Sequence, residues 1–459
     1  DLQVARGQAA ATMPAEVPLR LPALVAGLGS VVAIALLGRR LAGPAAGMAA
    51  AALAAVHPWH VRYSTEARAH SFILVLAPLL PLALGRAVES GRWWWWAVFG
   101  LIEVLLLWSF AGALYFLVAF NFLALNWLWR RGGSDGRVFL AVHVLAAVVY
   151  LHLMAPCFPQ MRTALAEAAV FSSGMSRRWG MTTGSFLLTG MPWINANPEW
   201  DSHPSLQAWW SERPIVLVWM LMAAVGALAA GVRRVWATPI GRVVTLSLPL
   251  AAALAVTASL MTGSVLFTWY VLYLLPGGLV LTGIGVTSGL EAAWRWGGWR
   301  GRVTLAAAVI GVASWVWVIL SPLVTYRRMG KQALREVAQF VRLPIDGVSP
   351  IAGLHRSEAR AYDAGLLSIS SDVDALRALT ARAAAEGRPL VIAFGYRPLI
   401  ARDSPEFLAA IEESGDFERL AHFPGLEEPQ FAHHVWCWRP PRPAPAAAGA
   451  GEEVPVNDP

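Results

Sequence analysis

The run 57-HPWHVRYSTEARAHSFILVLAPLLPLAL-84 sets three histidines, two arginines, a glutamate and a tyrosine directly against a long apolar stretch. Apolar stretches of this kind are membrane helices, and ionisable groups at such a boundary are costly unless paired or hydrated, so the cluster is a functional candidate by default. If residues 61–72 continue as one helix, Arg62, Glu66 and His70 stand one turn apart on a single face. Glu66 then accepts from Arg62 and His70 together, and Arg68 is left to point elsewhere. A guanidinium at the membrane boundary suits a phosphate, because its planar fork matches two phosphate oxygens. A plainer reading stands beside this one: a helix ends at the interface, with Trp59 and Tyr63 in the aromatic belt and Arg62 paired to Glu66. The spacing also permits a divalent metal on Glu66 with His70 or His60, although no third ligand is identifiable.

The rest of the chain has the same membrane character. Its 459 residues are 57% hydrophobic and only 14% charged, against about 25% charged in an ordinary soluble domain. Mean hydropathy is +0.52. Ten apolar segments of roughly spanning length follow one another, at 20–37, 44–57, 72–88, 94–109, 112–129, 138–155, 214–231, 240–258, 269–288 and 303–320. Arginines fall in alternate loops: Arg39 and Arg40; Arg86 and Arg92; Arg130, Arg131 and Arg137; Arg233, Arg234 and Arg242; Arg295, Arg300 and Arg302. The positive-inside rule makes those loops cytoplasmic. The net charge of +7 is thereby spread over separate loops, not gathered on one wet face, which argues against a nucleic-acid partner. By the same rule residues 57–71, the long loop 156–213 and everything after 321 lie outside. The N-terminus is then outside too, which leads to the expectation that one further helix and an outer loop precede Asp1, itself the first residue of an N-terminal remnant, 1–19. Cys157 and Cys437 are too few and too distant for a disulfide framework or a zinc site and read as buried thiols.

Beyond the membrane part, 20–322, the composition becomes that of a soluble α/β domain, 326–440. KQALREVAQFVR and SDVDALRALTARAAAEG have helical spacing, the second closing at Gly387. PLVIAF is a buried-strand run, Ser404-Pro405 opens a further helix, and FERLAHF and HHVWCWR supply two more strands. The tail 441–459 is rich in Pro, Ala and Gly and reads as disordered. His143 and His152 share one apolar segment and read as packing residues. The 93-WWWW-96 run beside Arg92 reads as a cytoplasmic aromatic belt. In the outer loop, Glu199, Asp201 and His203 stand among several tryptophans as candidate acceptor contacts, with a solvated, tryptophan-anchored loop as the bland alternative.

From Leu19 to Leu76 the chain, with LRLPA at 19–23, GRR at 38–40 and YSTEAR at 63–68, resembles the GT-C membrane glycosyltransferases of the family 39-like group, which includes protein mannosyltransferases and the aminoarabinose transferase of lipid A. GSVLFTWYVLYLLPGGLVL resembles the opening of a late helix in that family. The resemblance implies a polytopic α-helical membrane protein with a C-terminal soluble α/β domain on the extracytoplasmic side, in the inner membrane of a bacterium. It implies transfer of a sugar from a polyprenyl-phosphate donor to a glycan, lipid or protein acceptor. On this reading Glu66 and Arg68 are the catalytic candidates, and Tyr63, Arg68 and Tyr270 the donor phosphate-binding ones. The family's catalytic acid, expected in an outer loop before Asp1, is carried over to no residue here, and where relatives often have Arg-Tyr this chain has Trp269-Tyr270. Two readings of other kinds compete: a transporter or flippase, and a catalytically degenerate scaffold.

Overall fold

A computed structural model describes residues 16–66, 68–160, 178–194, 205–264, 266–328, 333–355, 365–425 and 432–441. All of the expected tail 441–459 beyond Pro441, and the acceptor candidates Glu199, Asp201 and His203, lie outside these residues. The chain divides into two compact units, one holding residues 15–195 and 201–328 and the other holding the residues from Met329 onward.

The first unit is helical. Its elements are α1 (Glu16–Ala42), α2 (Pro44–Val56), α3 (Pro58–Thr65), α4 (His70–Ser90), α5 (Trp93–Ser109), α6 (Leu114–Arg131), α7 (Asp135–Met154), α8 (Trp179–Thr189), α9 (Leu206–Glu212), α10 (Pro214–Val235), α11 (Pro239–Thr262), α12 (Leu274–Trp296) and α13 (Gly298–Arg328). Eight helices among the described residues are long and apolar enough to cross a bilayer, and α2 and α5 are shorter apolar helices. The chain is an integral membrane protein, and these helices account for the ten apolar segments of the sequence. Proline punctuates the starts: Pro44, Pro58, Pro214 and Pro239 each sit in a first turn, where a missing N–H has no helical partner to lose.

Three apolar cores among the described residues hold the unit, the smallest of them around Leu217, Met220 and Val318. One is built from α4, α5, α6 and α11 around Leu80, Phe99, Phe120 and Ala251. Another is built from α1, α2, α3 and α12 around Ile34, Ala50, Trp59 and Ile284. Small residues let helix backbones touch, as apolar packing between membrane helices requires. A Cβ at Gly231 of α10 would stand 1.8 Å from the carbonyl oxygen of Leu281, and one at Gly285 of α12 would stand 1.6 Å from that of Ala227.

The second unit contains α14 (Leu334–Phe340), β1 (Ile351–His355), β2 (Leu367–Ile369), α15 (Val373–Ala385), β3 (Leu390–Phe394), α16 (Arg397–Asp403), α17 (Pro405–Glu412), β4 (Phe417–Phe423) and β5 (His433–Trp438). The strands form one sheet in the order β2-β1-β3-β5-β4. β1 pairs parallel with β2 and β3, whereas β5 pairs antiparallel with β3 and β4. The PLVIAF run is β3, fully buried at the sheet centre. Asp372 caps α15 by accepting from the backbone N–H of Asp374. Of the two cysteines Cys437 is buried, whereas Cys157 is only partly so, a correction to the reading of both as buried thiols.

Candidate active site

The expected continuous helix over 61–72 is broken. α3 stops at Thr65, Glu66 takes extended backbone (φ −81°, ψ 134°), and α4 begins at His70. The backbone N–H of Glu66 still donates to the carbonyl of Arg62 at 3.1 Å, so the carboxylate hangs from the last turn of α3. Arg62, Glu66 and His70 therefore do not share a helix face as the spacing alone suggested.

The break instead makes a charged corner. Arg62 Nε donates to Glu66 Oε1 at 2.7 Å, and Arg68 Nε stands 4.0 Å from Glu66 Oε2. Exposure grades across the three side chains: Arg62 is 4% exposed, Glu66 15% and Arg68 47%. The inner guanidinium lies over the rings of Tyr63 and of Tyr326 from α13, with its carbon 5.3 and 5.7 Å from their centroids. Tyr326 in turn donates its hydroxyl to the carbonyl of Gly190.

α3 is pinned from below by its histidines. His57 Nε2 donates to the carbonyl of Leu187 at the end of α8, 3.1 Å away. The His60 ring bonds Ser30 of α1, whose own hydroxyl donates to the carbonyl of Gly27. Burial pushes the His60 imidazole down to about 4, so it is neutral at physiological pH. Gly190, at φ +73°, leaves room for Pro58: a Cβ there would sit 2.5 Å from the proline Cβ. Trp59 stacks on Phe186 at 4.9 Å.

Tyr63 is only 1% exposed, in edge contact with Trp59 at 5.8 Å. Burial raises its phenol further above the ordinary value. This sequence candidate for the donor phosphate thus lies in the core, against the Arg62 guanidinium. His70 packs against Tyr63 at 5.1 Å and Phe110 at 5.8 Å, and Phe110 meets Tyr270 at 5.4 Å. A chain of rings thus brings the half-buried Tyr270, on the turn before α12, into the same aromatic assembly as the corner, though the two are more than two hundred residues apart in sequence. Trp269 beside it stacks on Phe267 at 4.4 Å. Among the described residues no three His, Cys, Asp or Glu side chains gather in a metal-holding arrangement.

Residues 5–166 match the family described as dolichyl-phosphate-mannose-protein mannosyltransferase. The matched span contains LRLPA, GRR and YSTEAR, and the resemblance to GT-C membrane glycosyltransferases holds there. Similar solved structures include ArnT from Cupriavidus metallidurans in the apo state, at 12% identity and TM-score 0.45, and the same protein bound to undecaprenyl phosphate, at 12% and 0.47. Each match covers 91% of this chain and 83% of the other. The Archaeoglobus fulgidus oligosaccharyltransferase in its apo form is similar over 82% of this chain and 58% of that one, at 12% identity and TM-score 0.43. A comparison with curated proteins finds no match.

One polar cluster went unread in the sequence. Glu103 of α5 is 2% exposed within an apolar helix. Asn121 of α6 donates to its Oε1, and His143 Nδ1 of α7 lies 3.2 Å from the same oxygen. His143 is therefore no lone packing histidine. The signal was available: a single carboxylate inside the segment 94–109 demands a partner, and His143 lies in another apolar segment.

Proposed function

We propose that the protein transfers a sugar from a polyprenyl-phosphate donor to an acceptor at the outer membrane face, with Arg68 receiving the donor phosphate. The observation that carries this reading is the corner itself: an anchored carboxylate, bonded to a buried arginine at 2.7 Å, sits beside a second, half-exposed arginine. The family description supports a lipid-phosphate sugar as donor, and the match includes the corner. As the bond between sugar carbon and phosphate oxygen breaks, negative charge grows on the leaving phosphate, and a guanidinium already in place stabilises it. The new bond forms to an acceptor hydroxyl or amine, whose proton goes to a base. Glu66 is not assigned that role, since Arg62 engages one of its oxygens; it positions Arg68. Tyr270 contributes a phenol near the donor, and Tyr63 supports Arg62 from beneath. The alternate-loop arginines support an outer-side location for the corner and for the C-terminal unit.

The test is sugar release from polyprenyl-phosphate donors by the full-length protein in membranes. Arg68→Ala is expected to lower turnover about a hundredfold, the usual loss for one charge-stabilising donor. Glu66→Gln should lower it less, and Arg68→Lys should restore part of it, a point charge replacing the fork. Full activity in both Arg68→Ala and Glu66→Gln overturns the assignment.

A further inference from the structure

At the opposite end of α4 from the corner, α1, α4 and α5 enclose a groove of about 750 Å³. Its walls are apolar: Leu36 from α1, Leu76, Leu79 and Leu82 from α4, Leu101 and Leu105 from α5. Its mouth is basic, formed by Arg39, Arg40 and Arg86. We propose that this groove holds an anionic glycerophospholipid of the leaflet that faces the arginine-rich loops, its phosphate on the arginines and its acyl chain along the leucines.

Three features of the groove go beyond what the positive-inside rule requires. First, one arginine is built into it. Arg40 is ion-paired with Glu89 and only 15% exposed, and its guanidinium lies against α4 at Gly85, where a Cβ would stand 2.5 Å from its Nη2. Any larger residue at 85 would push that arginine out of the mouth. Second, Arg39 and Arg86 are exposed and have no carboxylate partner among the described residues. Three positive charges stand against the single carboxylate of Glu89, which leaves the mouth complementary to a phosphate. Third, the lining has the depth of one leaflet. From Leu76 to Arg86 is ten residues of helix, about 15 Å, or half of a ~30 Å hydrocarbon core. Basic pockets between membrane helices on the cytoplasmic side are the expected seats of anionic headgroups. A polyprenyl phosphate offers the same headgroup chemistry, but its isoprenoid chain belongs to the donor site proposed at the other membrane face, and the one-leaflet depth favours an ordinary acyl chain.

The experiment is native mass spectrometry of the delipidated full chain in neutral detergent, with phosphatidylglycerol, phosphatidylcholine, a polyprenyl phosphate or inorganic phosphate added at equal concentration. A second, smaller groove of about 500 Å³ with Arg130, Arg131 and Arg242 at its rim makes the readout the loss of one bound lipid. Phosphatidylglycerol should be retained in preference to phosphatidylcholine and to inorganic phosphate. The Arg39→Ala/Arg86→Ala double variant should lose one equivalent, its affinity falling about thirtyfold if each basic residue near a bilayer surface contributes about 1 kcal/mol. Leu101→Trp, which narrows the apolar wall and leaves the charges in place, should lose the same equivalent. Equal retention of phosphatidylcholine, or no change in both variants, overturns the proposal. So does arginine-dependent preference for the polyprenyl phosphate. Because none of these residues lies at the corner and the readout is binding, failure here is distinct from failure of the sugar-transfer reading.

Discussion

Arg62 is the residue on which the corner rests. It is buried, bonded to Glu66, and covered by the rings of Tyr63 and Tyr326, so it links α3 to α13. Its removal takes from a largely buried carboxylate the guanidinium bonded to it at 2.7 Å, and breaking a buried pair from one side is far worse than never having built it. Arg62→Ala should therefore lower stability by about 3 kcal/mol, read as an earlier thermal unfolding midpoint in detergent. Replacing both partners, as in Arg62→Met with Glu66→Leu, should recover much of that loss while leaving activity low; a double variant as unstable as the single would show that the ion pair is not the cause. The residue types of this site were legible in YSTEAR, because charge beside an apolar run needs a reason. The conformation was not. Nothing between Val61 and Phe72 is a proline or glycine, so no local punctuation marks the break at Glu66. The burial of Tyr63 depends on Trp59 and Phe186, contacts the sequence does not display.

At the scale of elements, α12 is the central strut, packing on α10, α2 and α13. Its contact with α10 is backbone against backbone at Gly231 and Gly285, so a side chain there must force the helices apart. Gly285→Leu is expected to cost about 3 kcal/mol, at the upper end of overpacking penalties, seen as a fall in the fraction of monodisperse protein and in the melting temperature. Gly278 in the same helix has open space where its Cβ would be, so Gly278→Ala should change stability by no more than about 0.5 kcal/mol. Equal effects of the two substitutions would mean the close approach is not what Gly285 provides. The membrane helices were readable one by one, since length and apolarity suffice, but which glycines face a neighbour was not. The soluble unit divides in the same way. β3 declares itself as LVIAF, whereas β1 is IAGLH, interrupted by glycine, and β2 has only three residues, LSI, so both exist through their pairing. The Glu103, Asn121 and His143 cluster likewise draws one residue from each of three helices.

Across the whole molecule, α4 joins two chemistries, with the charged corner at its His70 end and the basic groove toward its Ser90 end. They are on opposite faces of the bilayer if the arginine loops face the cytoplasm, because α4 is long enough to cross. That orientation decides where a sugar could be transferred, and accessibility of single cysteines tests it directly. With Cys157 replaced by serine and the buried Cys437 retained, Ser134→Cys reports on the loop between α6 and α7, and Glu413→Cys reports on the C-terminal unit; both positions are exposed. A membrane-impermeant maleimide applied to intact cells, or to spheroplasts where an outer membrane intervenes, should label Glu413→Cys and leave Ser134→Cys unlabelled until the membrane is permeabilised. The opposite pattern would put Arg68 on the cytoplasmic side, where the proposed donor geometry fails. Labelling of both sites in intact cells would mean that Arg130, Arg131 and Arg137 do not hold their loop inside, and the charge argument for the topology would fall with it.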